Sequence, residues 1–251
     1  MIRENLYAPY SIIEKIRKNE VDFFNVAKKK IALEKWNKVL NSTLTAERPF
    51  PILKKIEARK TALIVVDMQK AFLEEGASLE IKEGKNIITN INKIAKKIRQ
   101  KKGMVIFFRY LVNNKVGLLR YFEKKSYLSK DRESPLNALK KDHKEFQLHP
   151  KLDIKKEDLI LDKTRYSAVC GSEIVKILRN NKIENVIVTG VTTDVCAGNT
   201  AEDLMQFDFN TIMVWDGTAA LDRLDHEIYL ARIFALYGDV MPTQEVMLRI
   251  H

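Results

Sequence analysis

Three side chains with complementary chemistry follow apolar runs of the sequence. Asp67 comes directly after the run at 62–66, Lys163 follows a shorter run, and Cys196 lies shortly beyond the run at 186–189. A thiol that hydrolyses an amide needs an acid and an amine beside it, because the thiolate must form at neutral pH and its proton must reach the departing amine. The three residues therefore form a candidate catalytic set.

Each of the three residues also has an ordinary structural interpretation. Asp67 could cap a helix, Lys163 could be solvated, and Cys196 could be a small buried apolar residue. These interpretations leave one coincidence unexplained, because all three residues come at the carboxyl ends of predicted strands. Ligands bind at that edge in open parallel sheets, so the shared position favours a functional site.

The run at 186–189 is the element that positions the cysteine. Its four residues are all β-branched and show no polar alternation, as expected of a parallel strand covered on both faces. Gly190 ends the strand, and the polar cluster at 192–194 offers side-chain caps to a helix running from about 195 to 207. Cys196 then lies in the first turn of that helix, where free N–H groups and the helix dipole favour a thiolate.

Strands and helices alternate along the rest of the chain. This order predicts an α/β fold, a three-layer α/β/α sandwich around a mainly parallel, Rossmann-like sheet. A long polar stretch over 111–157 is typical of a lid or a substrate-binding loop, with a short helix near 136–140. Further strands are predicted at 104–108, 159–161 and 210–215, and helices at 86–100, 174–178 and 225–237.

The composition limits the class of protein. A chain of 251 residues with 45% hydrophobic content can bury one large core plus an appendage. Its net charge of +11 is scattered, which favours a lysine-rich surface over a nucleic-acid partner. The two cysteines form no disulfide framework, and we find neither a signal peptide nor an apolar run that could span a membrane. We expect a cytoplasmic protein.

The first part of the chain differs from the rest. Residues 1–58 predict a helical N-terminal extension ahead of a core domain over 59–251. About 50 residues seldom bury two apolar stripes by themselves, so we expect the extension to pack on the core or on a second copy in a homo-oligomer, a dimer or tetramer. A monomer in light scattering would contradict the oligomer. The apolar residues whose burial supports this expectation are Phe23, Ala27, Leu33, Trp36 and Leu40.

Four stretches together resemble the isochorismatase-like cysteine hydrolases: ALIVVDMQKAF at 62–72, LDKTRYSAVCGS at 161–172, VIVTGVTTDVCAGNTAEDL at 186–204 and VWDGTAA at 214–220. The resemblance implies an isochorismatase-like hydrolase domain over 59–251.

The resemblance also implies roles for particular residues. Asp67, Lys163 and Cys196 would be the catalytic triad, and the peptide bond between Val191 and Thr192 would be cis. The backbone N–H groups of Thr192 and Cys196 would form the oxyanion hole.

The implied activity is that of a cysteine-dependent amidohydrolase. Its substrate would be a small N-carbamoyl, ureido or carboxamide compound, cleaved through a thioester with release of ammonia or an amine. Phe72, Arg109, Tyr110 and Tyr166 would line the substrate pocket. Arg109 could pair with a substrate carboxylate or take part in a structural salt bridge.

Two alternatives stay open. Nicotinamidases of this family bind a metal through an Asp-x-His segment, but the corresponding stretch at 107–114 reads FFRYLVNN. We therefore expect no metal and no cofactor, and we expect His143 and His149 to have surface roles. The first alternative is nonetheless a metal-dependent, nicotinamidase-like amidase. The second is a non-catalytic binding or scaffold protein that acts through the basic N-terminal extension.

Overall fold

The computed structural model describes residues 53–112 and 135–251. These residues form a six-stranded sheet in the order β3-β2-β1-β4-β5-β6, and every neighbouring pair of strands is parallel. The strands are β1 (Thr61–Val66), β2 (Met104–Tyr110), β3 (Leu159–Lys163), β4 (Asn185–Val191), β5 (Asn210–Ala219) and β6 (Asp239–Met241).

Helices cover both faces of the sheet. The α-helices are α1 (Lys70–Leu73), α2 (Ile88–Gln100), α3 (Ile174–Asn180), α4 (Cys196–Gln206), α5 (Arg223–Leu236) and α6 (Thr243–Arg249). Short 3-10 segments lie at Ala58–Lys60, Pro135–Leu139 and Lys144–Phe146. None of the helices in these two stretches of chain is long and apolar enough to cross a membrane.

The period-two alternation of β1 divides the core into two apolar layers. Leu63 and Val65 pack with α2 and α6 on one face, while Ile64 and Val66 pack with α3, α4 and α5 on the other. Every residue of β1 and β4 is buried. The predicted three-layer α/β/α sandwich is confirmed, and so is the central position of the strand that precedes the cysteine.

The strand order creates a crevice beside the candidate residues. After β1 the chain builds β2 and β3 on one side of the sheet, and after β4 it builds β5 and β6 on the other. The connections therefore diverge between the carboxyl ends of β1 and β4, which is where open parallel sheets bind ligands. Asp67 follows β1 directly, and α4 begins with Cys196 after β4.

Several elements differ from the sequence prediction. The second strand was predicted to end at 108, but β2 continues to Tyr110. The charged Arg109 is accommodated there because it pairs with Asp162 of the edge strand β3, near the solvent. β5 continues to Ala219 because its last two residues pair with Gly190 and Val191 of β4. Within it, the Asp216 carboxylate accepts hydrogen bonds from the N–H and the hydroxyl of Thr243, at 2.6 and 2.8 Å. α1, β6 and α6 were not predicted, and α1 and β6 span only four and three residues.

Most of the N-terminal extension and the loop segment 113–134 lie outside the described residues. The end of the extension is visible and is not helical at Ile56, which pairs with Ile250 in an isolated parallel bridge. This residue is fully buried. The chain therefore enters the core domain as an extended segment beside the C-terminus.

Gly190 marks the closest approach between β1 and β4. Its φ is +105°, and a Cβ atom there would collide with the backbone of Val66, which is its partner in the sheet register. Gly76 also has a positive φ, +72°, but no atom lies within 4 Å of the Cβ position. Substitutions at these two glycines therefore distinguish the cost of a steric collision from the cost of backbone strain alone.

We predict that Gly190→Ala lowers the free energy of unfolding by more than about 3 kcal/mol, because two packed backbones must separate. Gly76→Ala is the matched control and should cost only about 1 to 2 kcal/mol, the cost of a Cβ in a left-handed conformation. Urea unfolding followed by circular dichroism measures both. Equal losses for the two variants would contradict the close-approach argument.

Candidate active site

A cavity of about 410 Å³ lies at the carboxyl edge of the sheet and reaches Cys196. Tyr110 at the end of β2 and Thr192 after β4 contribute to its wall, and so do Leu136 and Leu139 of the segment that follows residues 113–134. The expected contribution of the long loop to a binding site therefore has support in its described part. Cys196 is the one member of the candidate triad that lines the cavity.

Asp67 and Lys163 form a buried ion pair behind the cysteine. Lys163 Nζ lies 2.7 Å from Asp67 Oδ2, and both side chains are completely inaccessible to solvent. The thiol of Cys196 lies close enough to both groups that each shifts its pKa. The structure thus brings together the three side chains that the sequence analysis selected.

Lys163 is held from several directions. Its Nζ donates a 3.0 Å hydrogen bond to the carbonyl of Arg165 and lies 4.2 Å from the centre of the Tyr110 ring. The Asp67 carboxylate is less constrained, since neither oxygen has a partner in full hydrogen-bond geometry. The carboxylate therefore has an acceptor position left for the thiol proton.

Burial controls the protonation of all three groups. It raises the pKa of Asp67, although the positive charge of Lys163 opposes the shift. For Lys163 burial lowers the pKa, but the attraction of Asp67 and Cys196 outweighs it and the net pKa is raised. Burial also raises the pKa of Cys196 above its usual value, despite the opposing charge of Lys163. Burial therefore opposes the thiolate that the start of α4 favours.

The backbone around Asp67 is fixed by its neighbours. Asp67 adopts a φ of +55°, and its N–H donates to the carbonyl of Phe108 at 3.0 Å. Gln69 is fully buried and links β1 to β2, since its side chain accepts from the N–H of Tyr110 at 2.6 Å and donates to the carbonyl of Phe146 at 2.8 Å. This role of Gln69 could not be predicted, because a lone glutamine after a strand forms no recognisable sequence pattern.

The turn between β4 and α4 differs in part from expectation. The peptide bond between Val191 and Thr192 is cis, as the resemblance implied. The expected side-chain caps are wrong, since the cap position is Val195 and no side chain bonds there. The carbonyl of Thr192 instead accepts from the N–H of Ala197 at 3.0 Å, and the hydroxyl of Thr193 bonds His226 Nδ1 at 2.7 Å.

Both expected oxyanion donors lie beside the cavity. Thr192 and Cys196 line it. Cys196 is the first residue of α4, and the first N–H groups of a helix have no partner within the helix. A carbonyl oxygen placed above the sulfur could therefore accept from this terminus.

Three of the four expected pocket residues line the cavity: Phe72, Tyr110 and Tyr166. Arg109 does not, and instead its Nε lies 2.7 Å from Asp162 Oδ1 while its guanidinium stacks 4.7 Å from the centre of the Phe146 ring. Successive strand residues point to opposite faces, so the pair Arg109 and Asp162 cannot share a face with Tyr110 and Lys163. Of the two interpretations of Arg109, the structural salt bridge is the one observed.

The histidines of the long loop have structural roles. His149 is 2% exposed, which contradicts the expected surface role; its Nδ1 accepts from the N–H of Lys151 at 3.2 Å and its Nε2 lies 3.4 Å from Glu74. The ring of His143 accepts from the N–H of Glu145. Within 53–112 and 135–251 no three His, Cys, Asp or Glu residues are placed to hold a metal ion.

Comparison with known proteins gives consistent results. The Isochorismatase domain matches residues 61–245. A probable inactive nicotinamidase from Arabidopsis thaliana is 30% identical over 70% of this chain and 87% of its own length. The ureidoacrylate amidohydrolase RutB of Pseudomonas savastanoi is 28% identical over 68% of this chain and 74% of its own. A cysteine hydrolase from Pseudomonas syringae superposes with a TM-score of 0.71 at 27% identity, covering 80% of this chain and 98% of that one.

We predict that N-ethylmaleimide at neutral pH modifies Cys170 at least about tenfold faster than Cys196. Cys170 is exposed, whereas Cys196 is buried with a raised pKa, and only the thiolate reacts. Peptide mass spectrometry over time measures both rates. The Cys170→Ser variant serves as the control that isolates the rate at Cys196, and faster modification of Cys196 would show that a thiolate exists at rest.

Proposed function

The chain belongs to the isochorismatase family of hydrolases, and on this basis we propose that it is a cysteine-dependent amidohydrolase. Its substrate is a small N-carbamoyl, ureido or carboxamide compound, cleaved through a thioester with release of ammonia or an amine. The observation that carries the proposal is the arrangement of Cys196, which faces the cavity while Asp67 and Lys163 form a buried pair behind it.

In the first half of the reaction the sulfur attacks the carbonyl carbon. Asp67 takes the thiol proton as the S–C bond forms, so a free thiolate need not accumulate in the buried site. Lys163 remains beside both groups and offsets the negative charge that moves between them. The carbonyl oxygen becomes an oxyanion that accepts from the N–H groups of Thr192 and Cys196, each worth about 3 kcal/mol of barrier lowering in comparable sites.

The intermediate then collapses and releases the nitrogen. The C–N bond breaks, the nitrogen takes the proton from Asp67, and ammonia or an amine leaves the thioester on Cys196. Water attacks the thioester carbonyl while Asp67 accepts its proton. The S–C bond breaks, the proton returns to the sulfur, and the acid product departs, which restores the starting state.

Each alternative has one observation in its favour. A nicotinamidase-like amidase is supported by the Arabidopsis relative, whose name includes that activity. The same name calls that protein probably inactive, which supports a non-catalytic role. Against a non-catalytic role, burying Asp67 and Lys163 beside a cysteine is costly and gives a scaffold no benefit. The expected homo-oligomer, the cytoplasmic location and the absence of a nucleic-acid partner stay predictions.

We predict that Cys196→Ser lowers kcat/KM by more than about 1000-fold, about 4 kcal/mol, because a serine hydroxyl is far less acidic than a thiol. The melting temperature should change little, since the side chains have nearly the same shape. Ammonia release over small ureides and carboxamides measures activity. The exposed Cys170→Ser is the control and should retain wild-type rates. Activity of Cys196→Ser within about tenfold of wild type would refute the proposal.

We also predict that hydrolysis survives prolonged dialysis against a chelator. The described residues offer no group of three metal ligands near the cavity or elsewhere. Activity before and after dialysis is compared at equal protein concentration. Loss of activity with recovery on adding zinc would favour the nicotinamidase-like alternative.

A further inference from the structure

The cavity beside Cys196 is lined mainly by apolar and aromatic side chains. Leu79, Ile81, Leu136, Leu139 and Leu221 contribute to it alongside the aromatic residues already named. Glu80 is the one charged residue among the described lining residues. The one formal charge among the described lining residues is therefore negative.

Nearby cations are occupied elsewhere. Arg109 is paired with Asp162 and does not line the cavity. Lys163 is inaccessible to solvent and its charge is matched by Asp67. The guanidinium of Arg165 donates to the carbonyl of Thr164 at 3.0 Å, and this residue does not line the cavity either. Within the described part of the chain, no cation is placed to receive a substrate carboxylate.

Glu80 lies in a segment that the backbone holds in place. The N–H groups of its neighbours Leu79 and Ile81 donate to the carbonyls of Ala71 and Phe72, at 3.1 and 2.8 Å. Oε2 of Glu80 accepts from the N–H of Gly76 at 3.0 Å. No salt bridge to Glu80 occurs within 53–112 or 135–251, so its negative charge is uncompensated there. A substrate anion would be repelled by this charge.

We infer that the substrate is a carboxamide whose acyl group is apolar and carries no carboxylate, and that Glu80 excludes anionic analogues. The inference rests on the proposed function, because it concerns the substrate of the same cysteine. An uncharged acyl group gives up little hydration on entering an apolar cavity, whereas a carboxylate must give up water without gaining a cation from residues 53–112 or 135–251. An ammonium group on the acyl chain is tolerated better than a carboxylate, because Glu80 attracts it.

Three amides of equal length test this selectivity. Pentanamide ends in a methyl group, glutaramic acid carries a carboxylate in its place, and gamma-aminobutyramide carries an ammonium. We expect kcat/KM for pentanamide to exceed that for glutaramic acid by at least about 100-fold, with gamma-aminobutyramide between them or equal to pentanamide. Equal or faster cleavage of glutaramic acid would overturn the inference and leave the proposed function standing.

The charge at residue 80 should control this ratio. Glu80→Lys should reduce the preference for pentanamide over glutaramic acid at least about tenfold. The matched control is Glu75→Lys, which makes the same charge change at an exposed position outside the cavity lining and should leave the ratio unchanged. An equal change in both variants would mean that overall charge, and not Glu80, sets the selectivity.

Binding separates the inference from the proposed function. The Cys196→Ala variant is titrated with the same three amides by calorimetry, and circular dichroism confirms that it is folded. Tighter binding of pentanamide than of glutaramic acid supports the inference, even if the wild-type protein cleaves neither compound. Failure to cleave either compound would count against the proposed function alone. Preferred binding of glutaramic acid overturns the inference whatever the turnover.

Discussion

The buried pair of Asp67 and Lys163 is the interaction on which the rest of the site depends. Moving two charges out of water costs several kcal/mol per ion, and the cost is offset only when geometry is good and the partners stay together. The two residues follow β1 and end β3, and β2 lies between those strands. The pair therefore requires the sheet to be in register across three strands. A buried ion pair is seldom needed for stability, which is consistent with the catalytic role proposed for this pair.

Adjacent residue pairs along β2 and β3 have different roles. Arg109 is opposite Asp162 and Tyr110 is opposite Lys163. The first pair forms a partly exposed salt bridge, and the second pair places a ring 4.2 Å from the buried ammonium. A shift by a single residue would move the arginine towards the cavity and the lysine away from it. The strand register therefore keeps the Arg109 guanidinium out of the cavity.

The sequence predicts best what depends on local pattern. The uninterrupted apolar runs of β1 and β4 identify a sheet buried on both faces, and the polar residues after these strands identify the site edge. It predicts poorly what depends on orientation and burial. The side of the sheet to which Arg109 points and the buried position of His149 are set by tertiary packing. β6 spans only Asp239–Met241, too short for a pattern to emerge.

The burial of the Cys196 sulfur also bears on how the protein withstands oxidants. Oxidation by peroxides follows thiolate character and exposure, and Cys196 is only 7% exposed while burial raises the pKa of its thiol. Cys170 is exposed and offers the more accessible sulfur. In the proposed mechanism the nucleophile gains its charge only when an acyl group fills the cavity and excludes small oxidants. In that mechanism the sulfur is reactive only while substrate is bound, and peroxide cannot reach it at that time.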